Sequence, residues 1–222
     1  MFNAKLVVFS GIDGSGKSTQ AESFCARLRE RGCRVDYVWA RRVPVFTRIP
    51  AQIIKKFLLR EKGKSDGAAY VEITQQRRGI MRSKWRRFFW TRLLLLDYLC
   101  VTWFRFWVNH RQAEYMVVDR YLADALVDFA SMAPDPSGEL RQLHRCLLAR
   151  LFPKPSGFYL IDIPAEVGWD RKRDGTSLEY LIDRRPLYLE FAQMNKNSFV
   201  LDGTRTLPVV AEEVWQLFCG KN

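Results

Sequence analysis

Histidine is nearly absent from this 222-residue chain. The two present, His110 and His144, cannot build a multi-histidine metal centre. The five cysteines (Cys25, Cys33, Cys100, Cys146 and Cys219) are odd in number, widely spaced and contain no C-x-x-C pair. That argues against a disulfide framework or a structural zinc and for a reducing, cytoplasmic compartment. Long uncharged apolar runs are missing as well. The one membrane-like stretch, 88–108, carries Arg92, Asp97 and Arg105, each costly at a bilayer centre, so no membrane span is expected. The first residues lack the basic leader and extended apolar region of a signal peptide, and none is expected. Internal repeats and low-complexity tracts are absent. What is present is a globular composition, 48% hydrophobic and 27% charged, which excludes wholesale disorder. The length suits a single domain, 1–222, able to bury a core without staples.

The net charge of +12 is unevenly placed. Residues 41–111 hold seventeen Lys/Arg against four acids, a net of +13, and the remainder is close to neutral. The basic excess therefore lies in one segment. It points to a polyanionic partner, whether phosphates, nucleic acid or anionic lipid, or else to a solvated basic face.

Apolar periodicity alternates between strand and helix along the chain. Strands are expected at 5–9, 34–39, 115–119, 158–162 and 199–202. Helices are expected at 18–31, 44–60, 68–80, 85–108, 122–130, 139–151, 165–173 and 208–218, with loops at 61–67 and 133–138. Thr176 and Glu179 form a capping-box pattern opening a further helix, which Pro186 is expected to kink or break. In 85–108 the stripe Trp85, Phe88, Phe89, Leu93, Leu96, Cys100, Trp103, Phe104 and Trp107 follows helical spacing, with Leu94, Leu95, Val101 and Phe106 on other faces. A helix apolar on most sides belongs in a core or an interface. The alternation as a whole implies an α/β fold with a parallel sheet covered on both faces.

The sharpest signal is Gly11-Ile-Asp13-Gly14-Ser15-Gly16-Lys17-Ser18, which matches G-x-x-x-x-G-K-[ST] between a predicted strand and a predicted helix. Its glycines let backbone N–H groups close around phosphate oxygens, and the helix N-terminus adds partial positive charge. Lys17 can reach the β- and γ-phosphates, and the Ser18 hydroxyl can ligate Mg²⁺. Asp13, a carboxylate beside a polyphosphate, requires a partner such as a substrate hydroxyl, a cation or an arginine, unless it serves only the turn. Asp119 ends the third strand, where ligands bind in open α/β sheets, and is favoured for Mg²⁺ over Asp162 and Asp202, which also end strands. Arg120 beside it suits the spreading of charge during phosphoryl transfer, or else an ordinary ion pair. The guanine-selective N-K-x-D element has no match; Asn195-Lys196-Asn197-Ser198 lacks the aspartate.

Gly11 to Gln20, Asp119-Arg120-Tyr121, and Leu160-Ile161-Asp162-Ile163-Pro164-Ala165 followed by the basic 170–173 together resemble the thymidylate kinase family. The resemblance spans nearly the whole chain and is weakest over 42–110. It implies a three-layer P-loop NTPase fold with a five-stranded parallel sheet and a short lid near 170–177. It also implies ATP with Mg²⁺, a nucleoside monophosphate acceptor (dTMP foremost), and a homodimer. Residue by residue, Gly11, Asp13, Gly14, Ser15, Gly16, Lys17, Ser18 and Thr19 would hold ATP. Asp13 would also take the acceptor sugar hydroxyl, and Arg41 the acceptor phosphate. Phe88 would stack on the base with Arg92 contacting it, unless Phe88 is core. Arg120 would lie between the two phosphates, with Arg171 or Arg173 entering from the lid. Ser18 and Asp119 would hold the metal. Two other readings remain. One is a kinase of the same fold acting on a sugar phosphate or lipid-linked glycan precursor, its basic aromatic segment lying on a membrane surface. The other is a nucleotide-dependent nucleic-acid binder, disfavoured because no nucleic-acid-binding module is recognisable.

Overall fold

The computed structural model describes residues 4–40, 79, 83–109, 113–172 and 175–220. The helix expected over 44–60, the loop 61–67 and, Gly79 apart, the helix expected over 68–80 lie outside them, as do Arg41 and Arg173. Five strands, β1 (Lys5–Ser10), β2 (Val35–Trp39), β3 (Tyr115–Asp119), β4 (Gly157–Asp162) and β5 (Ser198–Asp202), form one sheet in the order β2-β3-β1-β4-β5. Every pairing is parallel. The register sets Phe9 and Trp39 beside Asp119, and Asp162 beside Asp202, so the carboxyl ends of the strands share one edge.

Side chains alternate across β1, and this divides the core. Leu6 and Val8 join one buried cluster with Leu95, Leu126, Phe158 and Phe191, while Val7 and Phe9 join another with Phe24, Tyr159, Trp215 and Phe218. The helices that supply these partners are α1 (Lys17–Glu30), α2 (Lys84–Asn109), α3 (Leu122–Ala130), α4 (Pro136–Arg145), α5 (Leu147–Arg150), α6 (Ala165–Arg171), α7 (Leu178–Gln193) and α8 (Leu207–Cys219). α1 and α8 cover one face; α2, α3 and α7 cover the other. The result is the expected three-layer α/β sandwich. All five cysteines are free.

Three local expectations are corrected. Ser177, not Thr176, caps α7, its hydroxyl accepting from the Tyr180 amide at 3.3 Å. Pro186 does not end that helix, which continues to Gln193. Pro186 and Ile182 are both exposed, so the Ile182 carbonyl that loses its amide partner lies within reach of solvent. The helix expected over 139–151 starts earlier and is split. Asp135 caps α4 by accepting from Gly138, Pro136 occupies the first turn, and Cys146 turns extended before α5.

In α2 the structure decides between the two expected alternatives, against the core and leaving the interface. The stripe from Trp85 to Trp107 is not core. Trp85 is 73% exposed and Phe104 64%, and Phe88, Phe89, Leu93, Leu96, Trp103 and Trp107 are exposed with them. The buried face is the other one: Leu94, Leu95, Tyr98, Leu99 and Phe106, with Thr91, Asp97 and Thr102 among them. The Tyr98 hydroxyl donates to the Ala40 carbonyl at 3.0 Å, tying this face to the end of β2. Among the described residues no helix is long and apolar enough to cross a membrane.

Candidate functional site

The turn that leaves the central strand β1 and opens α1 needs glycine for two different reasons. Gly11 has φ 146°, and a Cβ there would lie 2.5 Å from the Ile161 carbonyl oxygen. Gly14 has φ 82°, and a Cβ there would lie 2.3 Å from the Gly168 carbonyl oxygen on α6. Both positions combine left-handed backbone with contact that leaves no room for a side chain. The loop is thereby seated against β4 and α6, at the carboxyl edge where α/β sheets bind ligands.

Asp13 gathers positive charge from three elements. It accepts from the Arg120 guanidinium, lies 3.6 Å from Lys17 Nζ on α1, and lies 3.7 Å from Lys172 Nζ just past α6. Burial pushes its carboxyl up, but Arg120, Lys17 and Lys172 together outweigh this and hold it below the ordinary aspartate value. Lys17 donates to the Ile12 carbonyl at 3.0 Å and is only 4% exposed. Burial first, then repulsion from Arg120, lowers its ammonium to about 8 against the pull of Asp13. Asp13 thus has the cationic partners its position demands.

Arg120 follows β3 with φ 64°, a left-handed conformation uncommon for a residue with a side chain, and its amide bonds the Phe9 carbonyl at 3.1 Å. The twist aims the guanidinium back over the phosphate loop. On its other side lies Asp124, 3.7 Å away on α3. Asp124 is buried, accepts from the Ser10 hydroxyl, from Tyr188 at 2.8 Å and from the Tyr121 amide at 3.1 Å, and so fixes the arginine from behind. Burial raises the Asp124 carboxyl, opposed by Arg120 and Lys17. Burial also works against the charge of Arg120, but Asp124 and Asp13 overcome it and keep the guanidinium protonated.

Asp119 is fully buried and accepts from Ser18 Oγ at 2.5 Å and from the Tyr37 hydroxyl at 3.1 Å, both through Oδ2. Burial and the adjacent carboxylate push the Tyr37 phenol up, so it stays a donor. Asp119 Oδ1 has no hydrogen-bond partner. An orphaned buried carboxylate oxygen beside a serine hydroxyl is a hard-oxygen donor set, and it fits Mg²⁺ shared with phosphate and water ligands. The two rival carboxylates are otherwise occupied. Asp162 is held by Arg185 through two hydrogen bonds of 2.9 and 2.8 Å, and Asp202 caps its own turn by accepting from Thr204. Among the described residues no cluster of three or more His, Cys, Asp or Glu forms a site for a metal held by protein ligands alone.

The structure therefore brings Gly11, Asp13, Gly14, Ser15, Gly16, Lys17, Ser18, Asp119 and Arg120 to one place, with Thr19 exposed on the first turn of α1. Arg171 is nearby but turned aside, donating to the Gly203 carbonyl at 3.0 Å. Phe88 and Arg92 pair with each other, the guanidinium lying 4.5 Å over the ring. Arg92 also lies 3.9 Å from Glu139 on α4, which takes a 2.7 Å hydrogen bond from Arg87. Sequence reasoning missed Lys172, Asp124, Ser10, Tyr188 and Tyr37. Only Lys172 carried a signal, as the lysine between Arg171 and Arg173 in the sequence. The rest act through tertiary proximity, as Tyr188 and Asp124 lie 64 residues apart. A cavity of about 670 Å³ lined by His144, Arg150, Phe158 and Asn195 contains no residue of the phosphate loop.

A five-stranded parallel sheet between helix layers, with a glycine-rich phosphate loop after its central strand, is the architecture of a P-loop kinase fold. No protein-family model matches the chain. A thymidylate kinase of Thermomicrobium roseum is 26% identical over 224 aligned residues, covering 94% of this chain and 91% of that protein. The similarity is a distant relationship that runs almost end to end.

Proposed function

We propose that the chain is an ATP-dependent nucleoside monophosphate kinase, with dTMP as the preferred acceptor and residues 1–222 as one catalytic domain. The observation that carries this reading is the meeting of Lys17, Arg120 and Lys172 at Asp13, beside the Ser18–Asp119 pair with its orphaned oxygen. The distant thymidylate kinase relative supports it.

In this reading the loop amides of residues 11–18 and Lys17 hold the β- and γ-phosphates of ATP. Ser18 and Asp119 would hold Mg²⁺, which when bound screens the polyphosphate charge. Arg120, clamped between Asp13 and Asp124, is placed to bridge donor and acceptor phosphates. An acceptor phosphate oxygen attacks the γ-phosphorus in line, the bond to the β–γ bridging oxygen breaks, and ADP and a nucleoside diphosphate result. Asp13 orients the acceptor sugar hydroxyl, Arg41 holds the acceptor phosphate, and Phe88 with Arg92 recognises the base. Closure of the lid near 170–177 would bring Lys172 with Arg171 or Arg173 over the reacting group and exclude water. Arg171 donates to the Gly203 carbonyl at 3.0 Å, a bond it would leave to reach the reacting group.

A second reading, a sugar phosphate or lipid-linked glycan precursor as acceptor, draws on the exposed apolar face of α2. ADP release measured across a panel of nucleoside monophosphates and these alternatives tests both. The first reading expects the highest kcat/KM with dTMP; release only with a non-nucleotide acceptor would replace it with the second.

A further inference from the structure

We propose that the outward face of α2 docks on an anionic lipid surface. The proposal is independent of which acceptor is phosphorylated. α2 is 26 residues long, about 39 Å at the usual helical rise. Trp85, Phe89, Leu93, Trp103, Phe104 and Trp107 stand exposed along one side, a length of apolar surface that soluble monomers rarely leave bare. The opposite side is bound into the core through Leu95, Tyr98 and Phe106, so lipid cannot surround the helix. A helix fixed to its domain on one side and rich in Trp, Phe and Leu on the other suits the plane of a membrane interface.

The patch continues beyond α2. The Trp103 indole donates to the Leu151 carbonyl at 3.2 Å, which sets α5 alongside, where Leu147 is 71% exposed. On the other flank Arg105 donates to the carbonyl of the half-exposed Trp39.

Charge selects the occupant. The only acid in α2, Asp97, is buried, while Lys84, Arg86, Arg145 and Arg150 are exposed on α2 and the flanking α4–α5 corner. A second copy of the chain, pairing through the same face, would set these cations against themselves with no exposed acid of α2 to offset them. Residues 41–82 hold eleven Lys/Arg and three acids, so they too would bring like charge. Nucleic acid would satisfy the cations but leave the aliphatic part of the stripe facing phosphate. A bilayer with anionic headgroups answers both features, with apolar depth for the rings and negative charge for the rim.

The test is sedimentation of the full chain with phosphatidylcholine vesicles, with and without phosphatidylglycerol. Binding to the anionic vesicles is expected to exceed that to neutral ones by about tenfold or more, and to weaken with salt. The variant Trp85→Ser/Phe89→Ser/Phe104→Ser/Trp107→Ser should lose vesicle binding while staying folded by circular dichroism, because all four side chains are more than half exposed. A second variant, Lys84→Glu/Arg86→Glu, should lose the preference for anionic vesicles and serves if the first fails to fold. Three results would overturn the proposal: no sedimentation of the wild type, unchanged binding by both variants, or a concentration-dependent dimer that the four serines convert to monomer. Single-stranded DNA binding abolished by the same variants, without vesicle binding, would also overturn it.

Discussion

Replacing Phe88 by alanine separates a base-stacking role from a structural one, because the environment of the ring sets the stability cost in advance. A fully buried phenylalanine truncated to alanine costs about 3–5 kcal/mol. Phe88 is 41% exposed, and its chief recorded partners are the Arg92 guanidinium 4.5 Å above it and the edge of Phe89. Partial apolar burial plus a half-buried cation–π contact together predict a loss of about 1–2 kcal/mol. For a domain of this size that is a fall of roughly 2–8 °C in melting temperature. Losing an aromatic platform from a bound base should cost about 1–3 kcal/mol, or roughly 5- to 150-fold in acceptor affinity. Calorimetric melting and acceptor titration on the same preparation decide the matter, with ATP binding as an internal control that should not move. Arg92→Ala should relax selectivity among bases, since it removes a hydrogen-bonding partner. A melting temperature lowered beyond that range, with every activity depressed in parallel and acceptor preference intact, would refute the reasoning and make Phe88 a packing residue.

Lys17→Met should abolish phosphoryl transfer while leaving the fold intact, checked by turnover and circular dichroism. Because Lys17 is held to about 8 in the folded chain, kcat/KM for ATP should decline as pH rises through that value. The unfolded lysine binds its proton up to a higher pH, so between about 8 and 10.5 the unfolded state holds more protons and stability from this group rises with pH. It is lost as pH falls through 8, and Lys17→Met should flatten that slope in denaturant titrations of the ligand-free protein. Arg120→Ala should lower kcat by about 10³–10⁵ with little change in the KM for ATP, and a pure KM effect would reassign the residue to ground-state binding. Asp119→Asn should raise the Mg²⁺ concentration required for half-maximal rate far more than it alters ATP affinity without metal, measured by metal titration of the initial rate.

The phosphate loop was legible in the sequence because its physics is local: glycines, lysine and serine at fixed spacing between a strand and a helix. Asp119 and Arg120 were legible because a carboxylate ending an apolar strand falls at the ligand edge of a parallel sheet. The face of α2 was not. Helical periodicity identifies stripes but not which one turns inward, and the true core stripe is disguised by Thr91, Asp97 and Thr102, all buried. The more continuous aromatic stripe is the exposed one. Cys146 and Pro186 mark the other limit. The helix breaks at Cys146, a residue with no breaking propensity, and continues through Pro186, which sits on its exposed side where the freed Ile182 carbonyl can meet solvent. Asp124 gave no signal because its partners Ser10, Tyr188 and Arg120 come from three separate elements.

The most direct test of the central claim is the fate of the transferred group. With ATP carrying ¹⁸O in its γ-phosphoryl group and dTMP as acceptor, mass spectrometry of the products should find the label in the terminal phosphate of dTDP, and Lys17→Met should yield none. Label recovered only in inorganic phosphate, at a rate indifferent to any nucleoside monophosphate, would contradict the account.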